Sequence, residues 1–152
     1  MSPSKIQLKT VTAKAELIGE MLAGIATLPL QSEAEFSADA RMVAAGESFL
    51  RRSLEALLDL GRHVLAKGFG KVMPEYAAVA DGLQAQGVLP PESAAKLRLM
   101  ARYRNRMVHF YDDVTPRELY DILTKQRGDV AEILAAIRTW VAAHPALCAE
   151  EL

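Results

Sequence analysis

The stretch that decides the fold is residues 32–71, SEAEFSADARMVAAGESFLRRSLEALLDLGRHVLAKGFGK. Its apolar residues recur mainly three and four positions apart, which is the period of one face of an α-helix. Ser32 and Glu35 have the spacing of a capping box, and Gly68 and Gly70 suit a C-terminal cap and turn. We therefore predict one helix along almost the whole stretch, roughly 50 Å long at 1.5 Å per residue.

The same helical period recurs along the rest of the chain. Alternating strand patterns and Asn-Gly hairpin turns are absent from the sequence. Prolines, glycines and capping residues separate the periodic segments, and Thr115, Pro116 and Glu118 mark one helix start clearly. We predict five helices, at about residues 4–27, 32–67, 74–86, 91–109 and 116–144. Five helices with short connections favour an all-α fold, a five-helix up-down bundle.

The size of the chain and the length of the second helix bear on domains and partners. The 152 residues suit a single domain, 1–152, in which residues 1–40 form a loosely assigned N-terminal helix. A helix of more than thirty residues is longer than one compact bundle of this size needs. It would either break near Gly46 or project into a partner, so we expect a homodimer that forms through helical faces.

Composition and charge exclude several classes of protein. The net charge is −1, so affinity for nucleic acid must come from a local patch rather than from the whole surface. The single cysteine, Cys148, excludes a disulfide framework and is typical of a reducing cytoplasm. The cysteine and the three histidines are scattered, so we expect neither a metal site nor a cofactor. No apolar segment has the length of a signal-peptide core or a membrane span, and we expect a soluble, cytoplasmic protein.

Residues 102–111, RYRNRMVHFY, concentrate basic and hydrogen-bonding side chains on the fourth predicted helix. At about 100° per residue, its apolar stripe contains Met100, Tyr103, Met107 and Phe110. A separate polar stripe, with Arg98 above it, contains Arg102, Asn105, Arg106 and His109. No acidic residue lies between residues 96 and 111, so we expect these arginines to be unpaired. A solvated face is the ordinary explanation of a polar stripe, but unpaired arginines beside a titratable histidine suit a phosphodiester.

Arg104 and His109 present a geometric difficulty. They are five positions apart, about 140° on an ideal helical wheel, and therefore do not share one face. A site that uses both requires the long Arg104 side chain to reach around the helix, a helix that loosens at its end, or a second subunit.

A second polar surface follows the predicted second helix, with positions three and four apart: Arg52, Glu55, Asp59 and Arg62, and then His63. The ordinary interpretation is a solvated face in which Arg52 pairs with Glu55 and Asp59 pairs with Arg62. In the functional alternative, Asp59 or His63 lies at the wall of the site and orients its residues. Large apolar residues, Tyr76 among them, are interpreted as core or interface packing.

The segment RNRMVHFY, residues 104–111, contains arginine, four residues, histidine, one residue and tyrosine, with asparagine directly after the arginine. Here the chain resembles the HEPN superfamily, and in particular the HepT toxins of HepT–MntA toxin–antitoxin pairs. The likeness extends over residues 50–125, through an aspartate–histidine helix, a proline–tyrosine turn and a Gly-Val-Leu break, whereas residues 1–40 match only loosely. The resemblance identifies as motif residues Arg104, Asn105, His109 and Tyr111.

The resemblance also implies a function and partners. HEPN proteins are mostly metal-independent ribonucleases, and their site lies in a cleft at the interface of an all-helical homodimer. The antitoxin of a HepT toxin is an MntA-like nucleotidyltransferase, which silences the toxin by adding AMP to the motif tyrosine, here Tyr111. The chain would then be the toxin of a type VII-like toxin–antitoxin pair, an endoribonuclease that acts on RNA.

In the mechanism that we expect, the 2′-hydroxyl of RNA is the nucleophile. His109 acts as general base or acid, and Arg104 binds the phosphate and offsets the developing charge. Asn105 orients His109 or the substrate, and Tyr111 contacts RNA or receives the modification. The secondary candidates for the site are Arg102, Arg106, Asp59 and His63.

Two other functions fit the same residues. The dimer could be a non-catalytic module that binds RNA or a nucleotide, or that docks a nucleotidyltransferase. The chain could also be a plain structural bundle in which the arginines stabilise an interface. Metal-insensitive cleavage that is lost on replacing Arg104 would distinguish a catalytic site from both.

Overall fold

The computed structural model describes residues 4–109 and 114–149, and within them all regular secondary structure is helical apart from one isolated backbone bridge. Six α-helices follow in order: α1 Leu8–Ala26, α2 Glu33–Ala38, α3 Ala40–Phe69, α4 Val79–Ala85, α5 Pro91–His109 and α6 Pro116–Ala142. Short 3-10 turns cover Tyr76–Ala78 and Pro145–Leu147. The predicted all-α fold is confirmed.

The long helix α3 is central to the bundle and packs against the five other α-helices. Because neighbours surround it, its leucines are buried on more than one side: Leu50, Leu54, Leu57, Leu58, Leu60 and Leu65. Burying each large apolar side chain contributes about 1.5–3 kcal/mol to folding. This core fixes α3 against α5, the two helices that carry the polar residues of interest.

Asp39 divides the predicted second helix into α2 and α3. Its backbone is extended (φ −115°, ψ 107°), and its Oδ1 accepts a hydrogen bond of 2.9 Å from the Arg41 amide. An aspartate in this position caps a new helix, so the prediction of one continuous helix is wrong here. The described part of the chain therefore has six α-helices instead of five, although α3 alone still contains 30 residues.

A break near Gly46, one of the two alternatives for this long helix, does not occur, because Gly46 lies inside α3 and is buried. A Cβ atom at this position would lie 2.8 Å from Leu123 Cδ1 of α6 and 3.1 Å from Phe36 Cζ of α2. The missing side chain lets three helices approach one another closely. Gly46 therefore serves packing in the bundle.

Three predicted helix ends are confirmed. Ser32 Oγ accepts a hydrogen bond of 3.1 Å from the Glu35 amide, and Thr115 Oγ1 accepts one of 3.1 Å from the Glu118 amide. Gly70 has a φ of 65°, the left-handed conformation that closes α3. Capping chemistry read from the sequence thus located the start of α2, the start of α6 and the end of α3.

The segments at the two ends of the described chain pair with each other. The Ile6 amide donates to the Leu147 carbonyl at 2.8 Å, and the Ala149 amide donates to the Ile6 carbonyl at 2.9 Å. The Ile6 side chain is fully buried, and its Cδ1 lies 3.0 Å from where a Cβ of Gly68 would be. Ile6 pairs with the C-terminal segment and lies outside the helix, so α1 begins at Leu8, later than the predicted start at residue 4.

Candidate functional site

A cleft of about 500 Å³ opens where α3, the segment 74–76 and the last turns of α5 meet. Its lining residues are Arg62, Pro74, Glu75, Tyr76, Arg104, Asn105 and His109. Arg104 and His109 therefore line one cleft within a single chain, and α5 stays helical through His109. A second subunit is therefore not required to bring these two residues to one cleft.

Arg104 is held by two neighbours. Its Nε donates to Glu55 Oε1 at 3.4 Å, and its Nη1 donates to Asn105 Oδ1 at 3.2 Å. Glu55 also pairs with Arg51 at 3.3 Å, so one carboxylate lies between two guanidinium groups. These contacts orient the Arg104 side chain, which is only 21 % exposed. In this structure the amide of Asn105 positions Arg104.

The expectation of unpaired arginines on α5 is wrong for Arg98, Arg104 and Arg106, because acidic residues from other helices pair with them. Arg106 donates to both carboxylate oxygens of Glu118 in α6, at 2.6 and 2.9 Å. Arg98 donates to Asp81 of α4 at 2.6 Å. Charge neutralisation across helices cannot be read from spacing within one helix.

Two of the secondary candidates on α5 are not among the residues that line the cleft. Arg106 is directed to the first turn of α6 through its bonds to Glu118. Arg102 is exposed. The polar stripe of the helical wheel is therefore not one surface: the cleft receives Arg104, Asn105 and His109.

We had interpreted Tyr76 as core or interface packing, but its polar contacts give it a further role in the cleft. Its hydroxyl donates a hydrogen bond of 2.6 Å to Asp59 Oδ1, and its ring contacts two guanidinium groups. The guanidinium carbon of Arg62 lies 4.4 Å from the ring centroid, and that of Arg104 lies 4.7 Å from it. Burial and the bond to Asp59 raise the pKa of Tyr76 to about 12. The Tyr76 hydroxyl thus stays protonated near neutral pH and acts as a donor.

The ion pairs expected along α3 differ in detail. Arg51 pairs with Glu55, four positions along the helix, whereas Arg52 is exposed. Arg62 approaches Asp59 only to 3.8 Å, and its Nη2 donates to the Pro74 carbonyl at 3.2 Å. Asp59 contacts the site through the Tyr76 hydroxyl.

The structure gives His63 a contact outside the cleft. Its Nε2 accepts a hydrogen bond of 3.0 Å from the backbone amide of Gln7, the residue that precedes α1. Burial lowers the pKa of His63, and the positive charges of Lys67 and Lys14 lower it further. A neutral His63 therefore holds the start of α1 against α3.

This bond predicts a pH dependence of stability. The folded-state pKa of His63 is below that of the unfolded chain, so the unfolded state binds more protons. Stability from the bond is present above the ordinary histidine pKa of about 6.5 and is lost as pH falls through the folded value. We expect His63→Gln, whose side-chain oxygen can accept the bond without titrating, to flatten the dependence of unfolding free energy on pH between about 7.5 and 5.

Urea unfolding at a series of pH values measures this effect. His144→Gln is the matched control, because His144 is exposed at the end of α6. His63→Ala should lose about 0.5–1.5 kcal/mol at pH 7.5, the value of one hydrogen bond. An identical pH dependence in wild type and His63→Gln would show that His63 does not contribute in this way.

Tyr111 and Phe110 lie outside the described residues. Within residues 4–109 and 114–149, no group of three or more His, Cys, Asp or Glu side chains is placed to hold a metal ion. In the same part of the chain, no helix combines the length and the apolar character that crossing a membrane requires.

Comparison with known proteins gives one family and several relatives. Residues 18–137 match the model of a family described as "Ribonuclease HepT-like". A protein of Aphanizomenon flos-aquae (strain 2012/KM1/D3), described as "tRNA nuclease HepT", is 26% identical over 118 residues, which are 77% of this chain and 80% of that protein.

Solved structures share the architecture at low sequence identity. A tri-AMPylated Shewanella oneidensis HEPN toxin in complex with MNT antitoxin has a TM-score of 0.78 and 16% identity, and the match covers 86% of this chain and 97% of the toxin. YutE from Bacillus subtilis, described as a cytosolic protein of unknown function, has a TM-score of 0.76 and 17% identity over 94% of both chains. These likenesses confirm the predicted fold.

Proposed function

The chain belongs to the family described as "Ribonuclease HepT-like", and from this membership we propose that it is the toxin of a toxin–antitoxin pair and cleaves RNA without a metal ion. The observation that carries the proposal is the cleft that Arg104, Asn105 and His109 line together. The relative described as a tRNA nuclease supports transfer RNA as the substrate. The solved toxin–antitoxin neighbours support an MntA-like nucleotidyltransferase as the antitoxin.

The chemistry uses a nucleophile that RNA itself carries. The 2′-hydroxyl loses its proton, and its oxygen attacks the adjacent phosphorus to form a 2′,3′-cyclic phosphate. The bond from phosphorus to the 5′-oxygen breaks, and the 5′-oxygen takes up a proton. We assign one of these proton transfers to His109, which is exposed at the end of α5. General acid–base catalysis by a positioned side chain contributes about 10²–10⁴-fold.

Arg104 supplies positive charge to the phosphate. Its bonds to Glu55 and Asn105 use Nε and Nη1, and it would bind phosphate oxygens through its other N–H groups. The planar guanidinium suits two oxygens of one phosphate, and a donor held in place stabilises charge as it develops. Tyr76 keeps its proton on the bond to Asp59, so His109 is the cleft residue that we assign to proton transfer.

A homodimer, as the family resemblance implies, is part of the proposal. Val108 precedes His109 and is 39% exposed, and Val72, two positions before Pro74, is 79% exposed. Contact with a second copy would cover such apolar side chains beside the cleft. The second His109 could then supply the other proton transfer, and sedimentation equilibrium would measure the assembly.

We propose that the antitoxin silences the cleft by adding AMP to Tyr111, which follows His109 by two positions. The added group carries a phosphate, and this phosphate would compete with RNA for Arg104. The structural neighbour described as a tri-AMPylated HEPN toxin with its antitoxin supports this form of regulation.

One experiment tests activity and silencing together. We expect the chain purified without antitoxin to cleave bulk tRNA in the presence of EDTA. After incubation with the nucleotidyltransferase and ATP, intact mass should rise by one or more adenylyl groups and cleavage should be lost. Tyr111→Phe should remove the mass increase and retain cleavage, because phenylalanine has no hydroxyl to modify.

Tyr103→Phe is the matched control, because Tyr103 lies on α5 and is half-buried against the core. This variant should be modified and silenced like the wild type. Binding of tRNA without any cleavage by unmodified protein would refute the ribonuclease proposal and favour a non-catalytic binding module. Equal mass increase in wild type and Tyr111→Phe would refute the assignment of the modified residue.

A further inference from the structure

The cleft contains a second guanidinium group, and it comes from a different helix. Arg62 belongs to α3, whereas Arg104 belongs to α5, and both contact the ring of Tyr76. The two guanidinium carbons lie within 4.4 and 4.7 Å of the same ring centroid. Both arginines line the same cleft, and two cations in one cleft suit neighbouring negative charges of a single ligand.

Within the part of the chain that the structure describes, Arg62 has an ion-pair contact with Asp59 but no hydrogen bond to a carboxylate. Its hydrogen bond of 3.2 Å goes to the neutral carbonyl of Pro74. Its Nη1 lies 3.8 Å from Asp59 Oδ1, which is longer than a hydrogen bond. Among the described residues, its buried Nε has no hydrogen-bond partner. By contrast, Arg98 and Arg106 each donate to a carboxylate at 2.6 Å.

Asp59 is a weak partner for Arg62 because its carboxylate is shared. The Tyr76 hydroxyl donates to the same Oδ1 at 2.6 Å, and Lys14 approaches Oδ2 to 3.9 Å. Glu75 is the acidic residue of the cleft lining, and it is exposed. A phosphate would offer Arg62 the two oxygens that these neighbours do not supply.

We propose that Arg62 is a second RNA-binding residue of the cleft and that it binds the phosphate next to the one cleaved. The inference rests on the proposed function and extends it. Arg104 lies on the same helix as His109, so Arg104 is assigned to the scissile phosphate and Arg62 to its neighbour. Arg62 then sets affinity for the strand, whereas His109 and Arg104 set the rate of the chemical step.

The experiment measures binding of fluorescently labelled tRNA by anisotropy at several salt concentrations, with His109→Ala in every variant to prevent cleavage. The substitutions compared are Arg62→Gln, Arg62→Lys and Arg52→Gln. Arg52 is exposed on the same helix and does not line the cleft, so Arg52→Gln removes an equal charge outside the site.

We expect Arg62→Gln to weaken binding about tenfold, because one charge-assisted phosphate contact is lost. The slope of log affinity against log salt should fall by about 0.7–0.9, the value for one phosphate. Arg52→Gln should leave both quantities close to those of the parent. Arg62→Lys keeps the charge and should keep the slope while losing part of the affinity, and it provides the test if Arg62→Gln does not fold.

With His109 intact, Arg62→Gln should raise KM and leave kcat within about twofold, because uniform binding is removed. Equal salt slopes for Arg62→Gln and Arg52→Gln would overturn the proposal, as would a fall in kcat with KM unchanged. Reduced AMP addition to Arg62→Gln with an unchanged RNA slope would instead assign Arg62 to antitoxin contact. If the wild type binds tRNA but does not cleave it, the ribonuclease proposal alone is refuted. If the wild type binds no RNA, both the ribonuclease proposal and the RNA-binding role of Arg62 are refuted.

Discussion

Replacing His109 with alanine is expected to lower the rate of tRNA cleavage by about 10²–10⁴-fold, the usual contribution of a positioned general acid or base. The imidazole is exposed at the end of α5 and lines the cleft beside Arg104 and Asn105. Its removal opens no cavity in the core, so the melting temperature should change little. Single-turnover cleavage of bulk tRNA with EDTA present, together with circular dichroism, measures rate and fold separately.

The control for this variant is His144→Ala. His144 is also exposed, but it stacks on Trp140 at the end of α6, with ring centroids 3.9 Å apart. Its loss should leave cleavage unchanged while removing the same type of side chain. Cleavage by His109→Ala at the wild-type rate would exclude His109 from proton transfer, and the mechanism proposed for the cleft would fail.

Arg104→Lys is expected to reduce kcat by about 10²–10³-fold, the range seen when one donor to a developing negative charge is removed. Lysine keeps the charge but cannot bond Glu55 and Asn105 while also presenting two parallel N–H groups to a phosphate. Because Glu55 retains its pair with Arg51, the fold should tolerate the change. Steady-state kinetics with tRNA would show the loss chiefly in kcat.

Arg98→Lys is the matched substitution on the same helix. Arg98 pairs with Asp81 and does not line the cleft, so this variant should cleave at the wild-type rate. A partly exposed pair of this type contributes little to stability. Equal kcat values for Arg104→Lys and wild type would show that charge alone is sufficient and that the planar fork has no catalytic role.

The parts of the fold that depend on local chemistry could be predicted from the sequence. The caps at Ser32 and Thr115 and the left-handed Gly70 act over three or four residues, so their signatures are complete within short segments. The break at Asp39 was missed because the apolar period continues across it. Local capping overrode a pattern that taken alone favours a continuous helix.

The candidate site likewise contains residues that a short segment of sequence reveals and residues that it does not. Arg104, Asn105 and His109 could be identified because the motif lies within six positions of one helix. Tyr76 and the partners of the arginines could not, because those contacts join α5 to residues far away in the sequence. Glu55 and Arg62 lie seven positions apart on α3, and this regular spacing was the available signal that α3 also faces the cleft.

The pairing of Ile6 with Leu147 and Ala149 has a consequence for biosynthesis. A ribosome adds about 5–20 residues per second, so many seconds pass between the synthesis of Ile6 and the synthesis of these two partners. The residues of the cleft are all translated earlier, between positions 62 and 109. A nascent chain therefore carries every cleft residue before Ile6 can pair with Leu147 and Ala149.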